Sequence, residues 1–155
     1  MDLVIAAVGR LKGGPEAAMV DDYAARASQA GRPLGLGPVT VIEIDERRAR
    51  RPADQILRLR EAAAESVRVV LDERGRTLTS PDLAERIAGW RDGGRRRAAF
   101  LIGGADGHAP EMREGADLLL SFGPMVWPHA LARVMLAEQL YRAVSILAQS
   151  PYHRA

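Results

Sequence analysis

Three successive residues, Tyr152, His153 and Arg154, carry a phenol, an imidazole and a guanidinium. Together they offer a stacking surface, a base that titrates near neutrality and a fork matched to phosphate oxygens. An exposed tail gives His153 no packing duty, so the expectation is chemistry on an anionic partner. The other two histidines stand in different company. His129 opens a long apolar helical pattern, where capping or packing competes with catalysis. His108 ends the glycine-rich run LIGGADGH at 101–108. The chain has no cysteine, which excludes disulfide and thiolate chemistry, and with no H-E-x-x-H spacing a zinc site has little support. No Ser/His/Asp arrangement is visible.

Two loops have the composition of ligand-binding turns. LIGGADGH follows an apolar run directly, and its paired glycines permit a tight turn and close approach of backbone to a ligand. It is neither G-x-G-x-x-G nor a P-loop, and by itself two such glycines also suit a plain turn. SFGPMVWPH at 121–129 combines glycine, two prolines and large apolar side chains, a stiff loop able to line a pocket for a flat group or simply to cross from strand to helix. Asp72 and Glu73 end another apolar run, where an acid serves as a cap or turn as readily as in chemistry. The formal charge is only +2, but ERRARR at 46–51 and RRR at 95–97 concentrate it, almost entirely as arginine. Such runs attract polyanions or remain solvated loops.

These residues need elements to hold them. LVIAAV (3–8), VTVIEI (39–44), VRVVLD (67–72), AAFLIG (98–103) and DLLLSF (117–122) read as strands. Helical patterns cover 15–30, 52–65 and 79–91, the last with Ser80 as a plausible cap and Pro81 at the first helical position. GRPLGLGP (31–38) reads as a connection. Strands alternating with helices predict an α/β fold, a mostly parallel sheet with helices on both faces, in a single domain over 1–155. Ligands in such sheets sit at the carboxyl ends of the strands, where both loops fall. Along the last helix, Leu131, Val134, Met135, Leu136, Leu140, Tyr141, Val144, Ile146 and Leu147 occupy the whole circumference. A helix of that kind is covered on more than one side; the sheet can cover one, and a second subunit is the expected cover for another, although a small protein can also supply it internally. Glu138 and Arg142 are spaced to pair on one face. With no signal-peptide pattern and no long apolar segment, the expected location is cytoplasmic.

GRLK at 9–12, VIEIDE at 41–46, LDERG at 71–75 and LIGGADG at 101–107 follow one another along the chain, with LSF at 120–122, PHALAR at 128–133, AEQLYRA at 137–143 and PYH at 151–153 after them. This ordered set of motifs resembles the ribosomal RNA large-subunit methyltransferase H family, a minimal branch of the SPOUT methyltransferases. The resemblance implies a deep trefoil knot in the C-terminal part, about 70–155, with S-adenosyl-L-methionine bent inside it. Leu71 would line the adenosine site, and Gly103 and Gly104 would approach through backbone. Phe122, Gly123, Pro124, Met125, Val126 and Trp127 would wrap the cofactor. It further implies a homodimer through the last helix, and methylation at N3 of a pseudouridine of 23S ribosomal RNA in the assembled ribosome. Arg142, Tyr152, His153 and Arg154 would be the catalytic positions, the tail crossing to the partner's pocket. Relatives often carry threonine where this chain has Val126, which removes a hydroxyl from the cofactor loop. Two other readings are a methyltransferase on another RNA target and a non-catalytic RNA-binding protein of ribosome assembly; no metal and no membrane enter any of them.

Overall fold

A computed structural model describes residues 1–153, so Arg154 lies outside the described residues. Strands β1 (Asp2–Val8), β2 (Val39–Ile44), β3 (Val67–Thr77), β4 (Arg97–Ile102) and β5 (Leu118–Ser121) alternate with five α-helices. These are α1 (Pro15–Gly31), α2 (Pro52–Ala62), α3 (Ser80–Asp92), α4 (Pro110–Glu114) and α5 (His129–Leu147). Every pairing in the sheet is parallel and the order is β2-β1-β4-β3-β5. The expected α/β architecture forms, and side-chain alternation along β1 shows why both faces are covered. Leu3, Ile5 and Ala7 belong to a core with residues of α1, α3 and α5, whereas Val4, Ala6 and Val8 belong to one with α2 and α4. The connection at 31–38 contains a 3₁₀ turn, Arg32–Leu34.

Local chemistry fixes the helix ends. Thr79, not Ser80, caps α3: its hydroxyl accepts from the Asp82 amide at 3.2 Å, and the Asp82 carboxylate accepts from the Thr79 amide at 3.2 Å. Ser80 is thereby one residue inside the helix, and its hydroxyl is free to donate to Gln139 Oε1 at 2.7 Å. At the other end of α5, Gln149 takes a left-handed conformation (φ 53°). The Ser150 amide donates to Ser145 O and the Gln149 amide to Ile146 O, a reversal that turns the chain back along α5.

β3 runs five residues beyond the strand expected at 67–72 and leaves the sheet on the way. Leu71 and Arg76 both stand opposite Leu120, so residues 72–75 form an excursion between two stretches of pairing with β5. Gly75 crosses there at close range: a Cβ on it would lie 2.6 Å from Leu120 C and 2.7 Å from both C and O of Leu119.

The circumference of α5 is covered differently from the expectation. Leu136, Leu140 and Val144 are fully buried within one chain, packed mainly under α1 and α3. Neighbouring helices, not a second subunit, bury them, because α5 is the central helix on its side of the sheet. Leu131 remains 42% exposed, and Met135, Tyr141, Ile146 and Leu147 are half-buried. Arg133 is also buried: Nη1 donates to Glu43 Oε1 at 2.9 Å and Nη2 to Gly9 O at 3.0 Å, tying the start of α5 to the ends of β1 and β2. No helix of the described residues is long and apolar enough to cross a membrane.

Candidate active site

The carboxyl ends of β3, β4 and β5 enclose a cavity of about 330 Å³. Each wall comes from a segment that leaves a strand. β4 delivers Gly103 and Gly104, β3 delivers Leu71 and its excursion Asp72 to Arg74, and the loop after β5 delivers Phe122, Gly123, Met125, Val126 and Trp127. All the expected cofactor residues except Pro124 line this space. Val126 is 87% exposed and its side chain holds nothing in the chain.

The glycines divide into two kinds. A Cβ on Gly103 would lie 2.7 Å from Gly107 O and 2.8 Å from Gly107 C, because the loop doubles back through a Gly104–Gly107 bridge. Glycine at 103 is therefore demanded by closure of the loop itself, and not only by a ligand's approach. Gly107 (φ 72°) and Gly123 (φ 103°) also line the cavity, in left-handed backbone, and a Cβ on either would meet nothing within 4 Å. Two open backbone stretches thus face the space.

Behind the glycine loop lies a polar cluster that sequence alone left as turn chemistry. The Asp72 side chain is 5% exposed and accepts from the Arg74 amide at 3.0 Å. The guanidiniums of Arg113 and Arg74 reach it at 3.4 and 3.5 Å. Arg113 also donates to the His108 carbonyl. His108 Nε2 lies 3.1 Å from Leu101 O, so this nitrogen carries the proton of the neutral ring and Nδ1, buried and without a partner, is left as an acceptor. Burial pushes the His108 pKa below its ordinary value, against the opposing pull of the Leu101 carbonyl and of Asp72. His129, the first residue of α5, is exposed and lines the cavity. No periodicity could have joined Asp72 to Arg113, since they stand 41 positions apart, on β3 and α4.

The tail residues gather elsewhere. Tyr152 packs on Tyr141 with ring centroids 4.4 Å apart, and its hydroxyl donates to Glu138 Oε1 at 3.0 Å. Arg142 donates to the same oxygen through Nε at 2.9 Å and Nη2 at 2.6 Å, and its guanidinium lies 4.9 Å from the Tyr152 ring centre. The expected Glu138–Arg142 pair therefore forms, but Glu138 also receives the tail and Gln139 Nε2, the latter at 2.8 Å. Burial first, then Tyr23 and Glu138, push the Tyr152 phenol above its ordinary range. His153 is half-buried with an enclosed Nδ1, so the tail is packed and not freely exposed. Arg142, Tyr152 and His153 do not line the cavity of their own chain. A second cavity, about 470 Å³, opens on the opposite side of 120–123 and borders Tyr23, Met135, Glu138 and Gln139.

A fold of this kind, with a glycine-walled cavity at the ends of β3, β4 and β5, matches one class of enzyme. Residues 1–153 match the family model described as predicted SPOUT methyltransferase, and the chain belongs to that family. It is similar to proteins named ribosomal RNA large subunit methyltransferase H. That of Ruegeria pomeroyi is 56% identical over 155 residues and that of Paracoccus denitrificans 57%, each alignment covering 99% of both chains. Among solved structures, a probable methylase family protein from Haemophilus influenzae superposes with a TM-score of 0.53 at 14% identity, covering 99% of this chain and 70% of that one, a likeness of fold.

S-adenosylmethionine is the methyl donor this family membership brings, and the cavity suits it. Its volume lies in the range of small-molecule sites, roughly 300–1,000 Å³. Leu71, Ile102 and Trp127 supply apolar walls for a flat base, Asp106 supplies negative charge for a cationic ligand, and the open glycine backbone supplies hydrogen-bonding groups.

Proposed function

We propose that this protein methylates N3 of a pseudouridine in large-subunit ribosomal RNA, acting on the assembled ribosome as a homodimer. The observation that carries this reading is the separation of two half-sites in one chain. The cavity has the walls of a methyl-donor site, while Arg142 and Tyr152, with His153 next in the chain, lie away from it on Glu138. Two copies related by a twofold axis would bring these residues of one to the cavity of the other. The apolar residues left exposed or half-buried on that side support such a contact: Met19 at 45%, Leu131 at 42%, and Met135, Tyr141 and Ile146. The threading of the trefoil knot belongs to the same reading, and the close crossing at Gly75 is the feature that supports it.

The chemistry asks little beyond placement. N3–H of the base lies between two carbonyls and is weakly acidic, and its deprotonated form is a competent nucleophile toward a sulfonium methyl. The donor supplies the methyl and the leaving group. The chain's residues hold the base in line, with Tyr152 and Arg142 as a packed platform, and His153 takes the proton or fixes the base beside it. Glu138 keeps that platform in one geometry.

The test is His153→Ala. The expected result is an intact fold and unaltered S-adenosylmethionine affinity, with labelled-methyl incorporation into pseudouridine-containing ribosomes reduced by roughly tenfold to a thousandfold, the usual size of a general base or charge-stabilising contact. Equal turnover by the variant removes His153 from the site. Undiminished methylation of ribosomes that retain uridine removes pseudouridine as the substrate.

A further inference from the structure

The two arginine runs occupy opposite ends of the sheet. Arg97 begins β4 and the Arg96 carbonyl accepts from the Asp2 amide at 2.9 Å, so residues 95–97 lie at the amino ends of the strands. The cavity lies at the carboxyl ends, about 15–20 Å away along a six-residue strand. Residues 45–51 follow β2 and stand on the cavity's side. Gln55 joins them to the glycine loop: its Nε2 donates to Ala49 O at 3.1 Å, and its Oε1 lies 3.2 Å from where a Cβ on Gly104 would sit. β2 is two strand positions from β4, about 10 Å, close enough for side chains here to meet backbone flanking a nucleotide held at the cavity.

This segment is built to present charge. Asp45 folds it, its carboxylate accepting from the Arg47 amide at 3.0 Å and its carbonyl from the amides of Arg48 and Ala49 at 2.9 and 3.1 Å. Ala49 is 1% exposed and anchors the middle, while Arg47, Arg48 and Arg50 point outward. Two of the nearby acids are engaged elsewhere: Asp45 takes the Arg47 amide and Arg10 at 3.8 Å, and Asp54 takes Arg51 at 2.8 Å. Among the described residues, no ion pair or hydrogen bond is made by the guanidinium of Arg47, Arg48 or Arg50. Three guanidiniums without an ion-pair contact, on a fixed backbone beside the cavity, make a phosphate-binding surface, since each fork matches phosphate oxygens and the cluster draws in a polyanion.

We propose that Arg47, Arg48 and Arg50 are the contact surface for the RNA backbone flanking the target nucleotide, and that the run at 95–97 is a solvated edge with no part in it. The inference rests on the reading of the protein as an RNA methyltransferase. The experiment compares full-length wild type, the triple variant Arg47→Gln/Arg48→Gln/Arg50→Gln and the control Arg95→Gln/Arg96→Gln. Binding to purified ribosomes and to an unrelated single-stranded RNA is measured across about 50–200 mM salt. For the triple variant the slope of log affinity against log salt should shrink by about 2 to 3, because each lost phosphate contact removes roughly 0.7–0.9. Its affinity at low salt should fall at least tenfold, while the control stays within about twofold and S-adenosylmethionine affinity is unchanged in all three. An unaltered slope with methylation of ribosomes intact overturns the surface and leaves the enzymatic reading standing, as does an equal loss in the control. A reduced slope on both RNAs from a protein that transfers no methyl to ribosomal RNA supports the surface and overturns the enzymatic reading.

Discussion

Gly75 and Gly89 should respond to the same methyl group with opposite signs. At Gly75 a Cβ would sit 2.6–2.7 Å from three backbone atoms of Leu119 and Leu120. Backbone cannot rotate aside as a side chain can, so β5 would have to retreat from the β3 excursion by about 0.8 Å to reach ordinary contact at 3.4 Å. Overpacking typically costs about 1–3 kcal/mol, and three simultaneous backbone contacts place Gly75→Ala at about 3 kcal/mol. For a chain of this size that lowers Tm by roughly 6–12 °C. Gly89 is exposed at the start of the last turn of α3, and a Cβ there would meet nothing within 4 Å. Removing helical glycine contributes roughly 0.5–1 kcal/mol, so Gly89→Ala should raise Tm by roughly 1–4 °C. Calorimetric scans of both variants, with calorimetric titration of S-adenosylmethionine into Gly75→Ala, are the assay. Because β5 leads into the 122–127 wall, the donor affinity of Gly75→Ala should fall as well. A Gly75→Ala protein that melts within a degree of wild type would show that the crossing has slack and refute the argument.

Gly103→Ala should fold yet bind S-adenosylmethionine at least tenfold more weakly, by titration, since its Cβ forces open the 103–107 turn by several tenths of an ångström. Leu140→Asp should unfold the chain instead of merely separating two copies, because that side chain is fully buried in one protomer; circular dichroism beside sedimentation tells the outcomes apart. Below a pH of about 6.5 the unfolded chain takes up a proton that buried His108, with its lowered pKa, resists, so stability is full above that pH and is lost as pH falls toward the folded pKa. Denaturant titrations between about pH 5 and 6.5 should show this slope in wild type and its loss in His108→Leu. Glu138→Ala should bring the high-pH ultraviolet titration of Tyr152 back toward the ordinary phenol range, and an unchanged titration would mean that the tail is held by something else.

The sheet was legible because five short apolar runs, those at 39–44 and 67–72 rich in β-branched residues, are separated by glycine, proline and helical patterns and have few alternatives as structures. The part of β3 that matters most was not. DERGRT is polar and carries a glycine, so nothing local marks it as strand, and only the backbone of β5 gives it a pairing partner. Ser80 and Thr79 were equally good caps by type; the pairing of Thr79 with Asp82 decided between them. An all-round apolar helix announces that it is covered but not by what, and in α5 the cover proved to be α1 and α3 for Leu136, Leu140 and Val144. The glycine loop and the 122–127 loop were found by their positions after strands, and both line the cavity. The Asp72–Arg113 contact and the seat of Tyr152 on Glu138 and Tyr141 were invisible, because each joins residues whose spacing follows no periodic rule.

The centrality of α5 has a consequence in time. Helix α1 buries Val20, Ala24 and Ala27 in the core that α5 completes, yet α5 is encoded roughly a hundred residues later. At the usual pace of synthesis, about 5–20 residues per second, α1 waits roughly 5–20 s with that stripe uncovered. The clasp of Arg133 on Gly9 and Glu43 is delayed in the same way, since it joins residues 124 and 90 positions apart. A nascent chain of this protein should therefore present a sticky first helix to whatever surrounds the ribosomal exit tunnel until its final helix emerges.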